Sequence, residues 1–245
     1  MATFSPTIGD VKTGQGGGGG RPPVIDGGGD RDRGGFPDYG GRLRRARLGM
    51  GIALTPIFML FVSFTSAYIA RQGLPTFDET SGKYVRDWLV VNLPTGLLLV
   101  NTVLLLASSV AMEFSRRQIT RQAALAPVRS IPGISLGEGR SFPWLNVTTV
   151  LGLGFLVGQW EAWRELQDCG FYLATNPSSS FVYLLTGTHA VHLAGGILAL
   201  LYAAATSWLN KPVEERRIVV DVTAWYWHFL ALLWVYIFAL VFFER

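Results

Sequence analysis

Three histidines, His189, His192 and His228, and one cysteine, Cys169, are the soft ligands in this chain; the acids set in apolar surroundings are Glu161 and Asp221. His189 and His192 stand three positions apart and share one helix face, a spacing that suits ligation of a metal or haem as well as hydrogen bonding. A bundle-type metal site also needs inward carboxylates and a partner behind each ligand. The stretches 48–70, 88–112 and 181–208 contain no carboxylate at all. The imidazoles are therefore expected to be satisfied by neighbouring side chains, carbonyls or lipid phosphate, with no metal on this chain. A single cysteine excludes an internal disulfide and a thiolate cage. No serine elbow, glycine-rich phosphate loop or nucleic-acid patch is legible, so neither catalysis by the chain alone nor nucleic-acid binding is expected. A transporter would show repeated halves or a row of intramembrane ionisable groups, and neither is evident.

The elements that must position these residues follow from composition. Of 245 residues 49% are hydrophobic and 16% charged, against roughly 25% charged in soluble domains. The charges are also clustered. Leu48 to Ala70 is free of acids, bases and histidine, and about 20 apolar residues cross a hydrocarbon layer of about 30 Å. The charge pattern predicts five transmembrane helices at about 48–70, 88–112, 143–166, 181–208 and 218–243. The fold class is thus all-α, a polytopic five-helix membrane bundle over residues 42–245. A glycine-rich leader, 1–41, precedes it and is expected to be disordered and, lacking a signal-peptide pattern, to be retained. Pro56 and Pro94 fall inside spans and predict kinks. Gly152, Gly154, Gly158, Gly195 and Gly196 predict close helix packing, and Trp88, Trp144, Trp163, Trp208 and Phe242 predict interfacial belts.

Sixteen of the 21 basic residues fall in the segments before the first helix, between the second and third, and between the fourth and fifth. By the positive-inside rule the amino terminus is cytoplasmic and the carboxyl terminus is on the far side. The run RLRRAR at 42–47 can also engage anionic head groups. Polar groups retained inside a bilayer are the first candidates for function, and here they are Asn101, Glu161, His189, His192, Asp221 and His228. A rise of about 1.5 Å per residue puts Glu161 within roughly 6 Å of the outer boundary, His189 and His192 roughly 12 and 16 Å deep, and His228 near the middle. On those depths the three imidazoles lie at comparable levels, and Glu161 is expected to pair with His189.

Several strings carry a family resemblance. TAWYWHFLALLWVYIFALVFF at 223–243, GTHAVH at 187–192, GQWEAW at 158–163 and VNTVLLLASS at 100–109 together resemble subunit III of haem-copper oxidases, in its five-helix form. The resemblance implies an accessory, non-redox subunit of a terminal oxidase in a bacterial cytoplasmic membrane, most simply a cytochrome c oxidase. In such a complex subunit I holds the haems and active-site copper, subunit II receives electrons, and subunit III binds structural phospholipids and supports proton uptake. The partners implied are subunits I and II, phospholipids and a larger respiratory supercomplex; this chain itself would carry no cofactor. The resemblance marks Glu161, His189, His192, Asp221, Trp225 and His228 as lipid-binding or structural polar sites. Two carboxylates frequent in the family are replaced here by Ile57 and Ala231, which weakens the proton-uptake role relative to the scaffold role. Alternatives are the equivalent subunit of a quinol oxidase or a nitric-oxide-reductase-associated homologue and, from a different class, an independent transporter.

Overall fold

The computed structural model describes residues 39–78, 82–85, 95–129, 143–170, 177–209 and 211–243. These form five helices, α1 (Tyr39–Gly73), α2 (Thr95–Arg129), α3 (Trp144–Asp168), α4 (Pro177–Trp208) and α5 (Val213–Phe243). A short antiparallel hairpin, β1 (Thr76–Asp78) with β2 (Lys83–Val85), follows α1. It pairs Phe77 with Tyr84, and Gly82 supplies the left-handed turn residue at φ +62°. The expected leader lies outside the described residues except for 39–41, which form part of the first turn of α1. Trp88 and Pro94 lie outside them as well.

The helices outrun the charge-free stretches that predicted them. α1 starts nine residues before Leu48, and α2 continues to Arg129, well past Glu113. The physical reason is that a charge marks the edge of the hydrocarbon layer, whereas an α-helix stops only where its own hydrogen bonding does. α1, α2, α4 and α5 are each long and apolar enough to cross a membrane. α3 has the length, since 25 residues rise about 37 Å, but its second half carries Gln159, Glu161, Arg164, Glu165 and Asp168.

Helix contacts define a closed ring. α2 packs on α3, α3 on α4, α4 on α5, and α5 back on α2, while α1 lies outside the ring against α4 and α5. The buried positions recur at three- and four-residue steps, the period of helices that interlock along one seam. Leu98, Leu105, Met112 and Ile119 line α2; Thr148, Gly152, Phe155, Gln159, Ala162 and Leu166 line α3. α5 has two such rows, Val220–Ala224–Trp227–Ala231–Trp234 and Thr223–Leu230–Ile237, because it faces three neighbours. One core fills the ring, and a second, around Phe61, Leu185, Leu233 and Ile237, seats α1. Ile57 and Ala231, the two replaced carboxylate positions, pack with these apolar clusters.

Lipid tails are as apolar as leucine, so close fit rather than transfer from water holds such helices together. One such close fit is at Trp227, which is fully buried. A Cβ on Gly152 of α3 would stand 2.7 Å from its ring, and one on Gly196 of α4 would stand 3.1 Å away. Gly158 is more tightly constrained still, by Asn101, whereas Gly154 faces open space and Gly195 makes only ordinary contact with Tyr226. Three of the five predicted packing glycines therefore leave little or no room for a Cβ. Gly152→Ala is expected to destabilise the purified protein by about 1–3 kcal/mol through overpacking. Gly154→Ala, two residues away, is expected to be neutral or to stabilise by up to about 1 kcal/mol through helix propensity. Thermal unfolding of the two variants, followed by circular dichroism, distinguishes them.

Candidate functional site

The polar side chains within the bundle fall into three groups. Most hydroxyls solve their own problem by donating to the carbonyl one turn back, as Thr65 does to Phe61 and Thr102 to Leu98. The His192 ring joins them, with Nδ1 2.7 Å from the Thr188 carbonyl and the ring against Phe61 of α1.

The second group stitches helices together. Trp227 Nε1 donates to Ser108 Oγ at 3.0 Å, and Ser108 Oγ donates to the Thr148 carbonyl at 3.1 Å, joining α5, α2 and α3 through three buried residues. Trp234 Nε1 donates to Thr102 Oγ1 at 3.0 Å, linking α5 to α2 a second time. Tyr236 of α5 donates to Thr65 of α1 at 2.9 Å, and Tyr226 donates to the His192 carbonyl of α4 at 3.0 Å.

The third group is ionic and sits where the amino-terminal parts of α1 and α5 meet the carboxyl-terminal half of α2. Arg47 of α1 makes a bidentate bridge to Asp221, Nε to Oδ2 at 2.7 Å and Nη2 to Oδ1 at 2.9 Å. Arg116 Nη1 reaches the same carboxylate at 3.5 Å and binds Glu113 through Nε and Nη2. Arg117 also binds Glu113, at 2.8 Å. His228 closes the cluster, with Nδ1 2.6 Å from Ser109 Oγ and Nε2 3.6 Å from Glu113 Oε2. The cluster thus spans α1, α2 and α5, although α1 and α2 do not otherwise pack on each other.

These placements correct two expectations. Glu161 does not pair with His189; it is exposed and bridges Arg164 at 3.3 Å on its own helix. α3 turns Gln159 and Ala162 inward and so turns Glu161 out, because neighbouring positions point about 100° apart. The three imidazoles do not share a level either. His189 is fully buried against Phe155 and Trp234, and Trp234 lies six residues, about 9 Å, beyond His228 along α5. His228 stands in the charged cluster. Trp225 points outward, 48% exposed. Among the described residues no three His, Cys, Asp or Glu side chains converge to hold a metal ion.

Arg47, Glu113, Arg116, Ser108, Gln159 and Trp227 were not singled out from the sequence as site residues. Ser108, Gln159 and Trp227 do lie inside the quoted strings VNTVLLLASS, GQWEAW and TAWYWHF, and Arg47 inside RLRRAR.

A multi-pass helical membrane protein whose interior polar groups are engaged mainly in holding helices to one another is the class these features define. The chain belongs to the family described as Cytochrome c oxidase subunit III, whose sequence pattern matches residues 43–244. Similar proteins include "Probable cytochrome c oxidase subunit 3" of Mycobacterium tuberculosis, 29% identical over 42% of this chain and 50% of that one. "Cytochrome c oxidase subunit 3" of Corynebacterium diphtheriae is 28% identical over 62% of this chain and 67% of its own. The protein of that name from Pylaiella littoralis is 24% identical over 80% and 65%. The chain spans about half the length of the mycobacterial relatives it matches.

The ionic cluster and the exposed acid make opposite predictions. Asp221→Asn is expected to cost about 1–3 kcal/mol, below the 3–5 kcal/mol typical of a fully buried pair because the Arg47 side chain stays 40% exposed. Arg47→Lys, which loses the two-point geometry, should fall between wild type and that variant. Glu161→Gln should change stability by less than about 0.5 kcal/mol. Unfolding midpoints of the three variants in one detergent check the order.

Proposed function

We propose that the chain is a non-catalytic, accessory subunit III of a haem-copper terminal oxidase, packing beside the haem-bearing subunit I and the electron-receiving subunit II. The observation that carries this reading is the family match over nearly the whole chain, 43–244, joined to a five-helix bundle whose polar interior is spent on packing. The haems and copper belong to the partner subunits, and the complex reduces dioxygen to water. Support for the scaffold role comes from the ionic cluster and the Trp227 contacts, which fix helix positions. The proton-uptake role is the weaker part, since the apolar Ile57 and Ala231 stand at the two positions where a carboxylate would serve it.

In this reading the membrane is the bacterial cytoplasmic membrane and α3 is the fifth crossing, its polarity tolerated because it packs between α2 and α4. The ends rich in arginine, with Arg42, Arg44, Arg45, Arg116 and Arg117, face the cytoplasm. Phospholipids lie against the outward faces, with Trp225 among their contacts, while Asp221, His192 and His228 act as structural polar sites. The glycine-rich leader is a cytoplasmic segment.

An affinity tag on this chain, purified from the native membrane in mild detergent, is expected to bring down subunits I and II with haem absorbance and retained phospholipid. Deleting the gene should leave a haem-bearing remainder with an unchanged haem spectrum and lower stability during turnover. Recovery of this chain with no haem-bearing companion would overturn the assignment.

A further inference from the structure

The four ring helices line a small, partly open cavity, bordered in part by Gln159 and Trp163 of α3, Thr186 of α4 and Trp234 of α5, with about 20 Å³ open to the centre of a water molecule. That is room for about one water, which needs about 10–15 Å³ by the same measure. Most of the wall is apolar, and a wholly apolar cavity of this size stays dry. Gln159 changes that. It is 2% exposed, and its Oε1 has no hydrogen-bond partner. An amide oxygen left unpaired at such a depth costs about 1–3 kcal/mol.

Opposite it stands Thr186 Oγ1, which donates to the Val182 carbonyl at 2.7 Å and accepts from Trp163 Nε1 at 3.1 Å. A hydroxyl oxygen has two acceptor positions, so one remains for a further donor. One turn along α4 from Thr186, both ring nitrogens of His189 also lack partners, and His189 packs on Trp234, a wall of the same cavity.

We propose that this cavity is a built-in site for one water molecule, which donates one hydrogen to Gln159 Oε1 and the other to Thr186 Oγ1. The water adds a polar link between α3 and α4 beside the bond from Trp163 Nε1 to Thr186 Oγ1. It explains how α3 carries a glutamine on its buried face within the bundle. The inference concerns the chain's own interior and stands whether or not the oxidase reading holds.

The test is a map of the intact, detergent-solubilised assembly at a resolution that shows waters, together with water-edited solid-state NMR of the glutamine-labelled chain in phospholipid vesicles. One density is expected at hydrogen-bonding distance, about 2.7–3.0 Å, from both Gln159 Oε1 and Thr186 Oγ1, with polarisation transfer from water protons to the Gln159 side chain. Gln159→Met should abolish the density and leave the helices in place, and Thr186→Ser should keep it. An empty cavity, a Gln159 amide bonded directly to protein, or a density that persists in Gln159→Met would each overturn the proposal. Should Gln159→Met fail to assemble, the wild-type map and NMR transfer still decide the matter.

Discussion

The fit of the Trp227 ring between Gly152 and Gly196 is the contact on which the rest of the bundle is arranged. In a solvent of hydrocarbon, two apolar helix faces gain little by meeting unless the meeting is closer than lipid can achieve. The two glycines permit that approach, and the indole fills the space they leave. Its one polar atom then needs a partner, which Ser108 supplies, and the serine hydrogen in turn goes to the Thr148 carbonyl. A single side chain thereby fixes the relative rotation of four helices. Once those rotations are set, the inward positions of α3 are set too, Gln159 with them, and Glu161 is left facing outward.

The ionic cluster acts at the margin rather than in the core. Arg47, Asp221, Arg116, Glu113 and His228 bring three helices together at the level where charges can still reach water. α1 depends on it most, since α1 has only the α4 and α5 surfaces to lean on. Tyr236 and Thr65 give it a second attachment farther along. The two attachments constrain tilt as well as position, which one contact could not do.

Much of the architecture was legible in the sequence, because the absence of charge over 20 or more residues has one physical meaning in a long chain. Helix ends were not, since the helical segments 39–47 and 113–129 lie beyond the stretches that identified α1 and α2. Candidate polar residues could be enumerated, but their partners depend on helix rotation, which a lone charge or histidine does not encode. His189 and Glu161 show this: depth made them neighbours, and rotation separated them. The role of Trp227 was hidden for a related reason, because its contacts draw on three other helices and no pattern within α5 announces them.

The order of the ring along the chain has a consequence for biogenesis. α5 follows the other four helices, yet it carries both Trp227 and Asp221 and provides the wall that closes the ring against α2 and α4. Helices leaving the translocon earlier must therefore wait side by side in lipid, loosely associated, until α5 is released. Quality control that senses an unfinished bundle would meet nearly every nascent copy in that open condition, and a chain cut short before α5 would stay in it permanently.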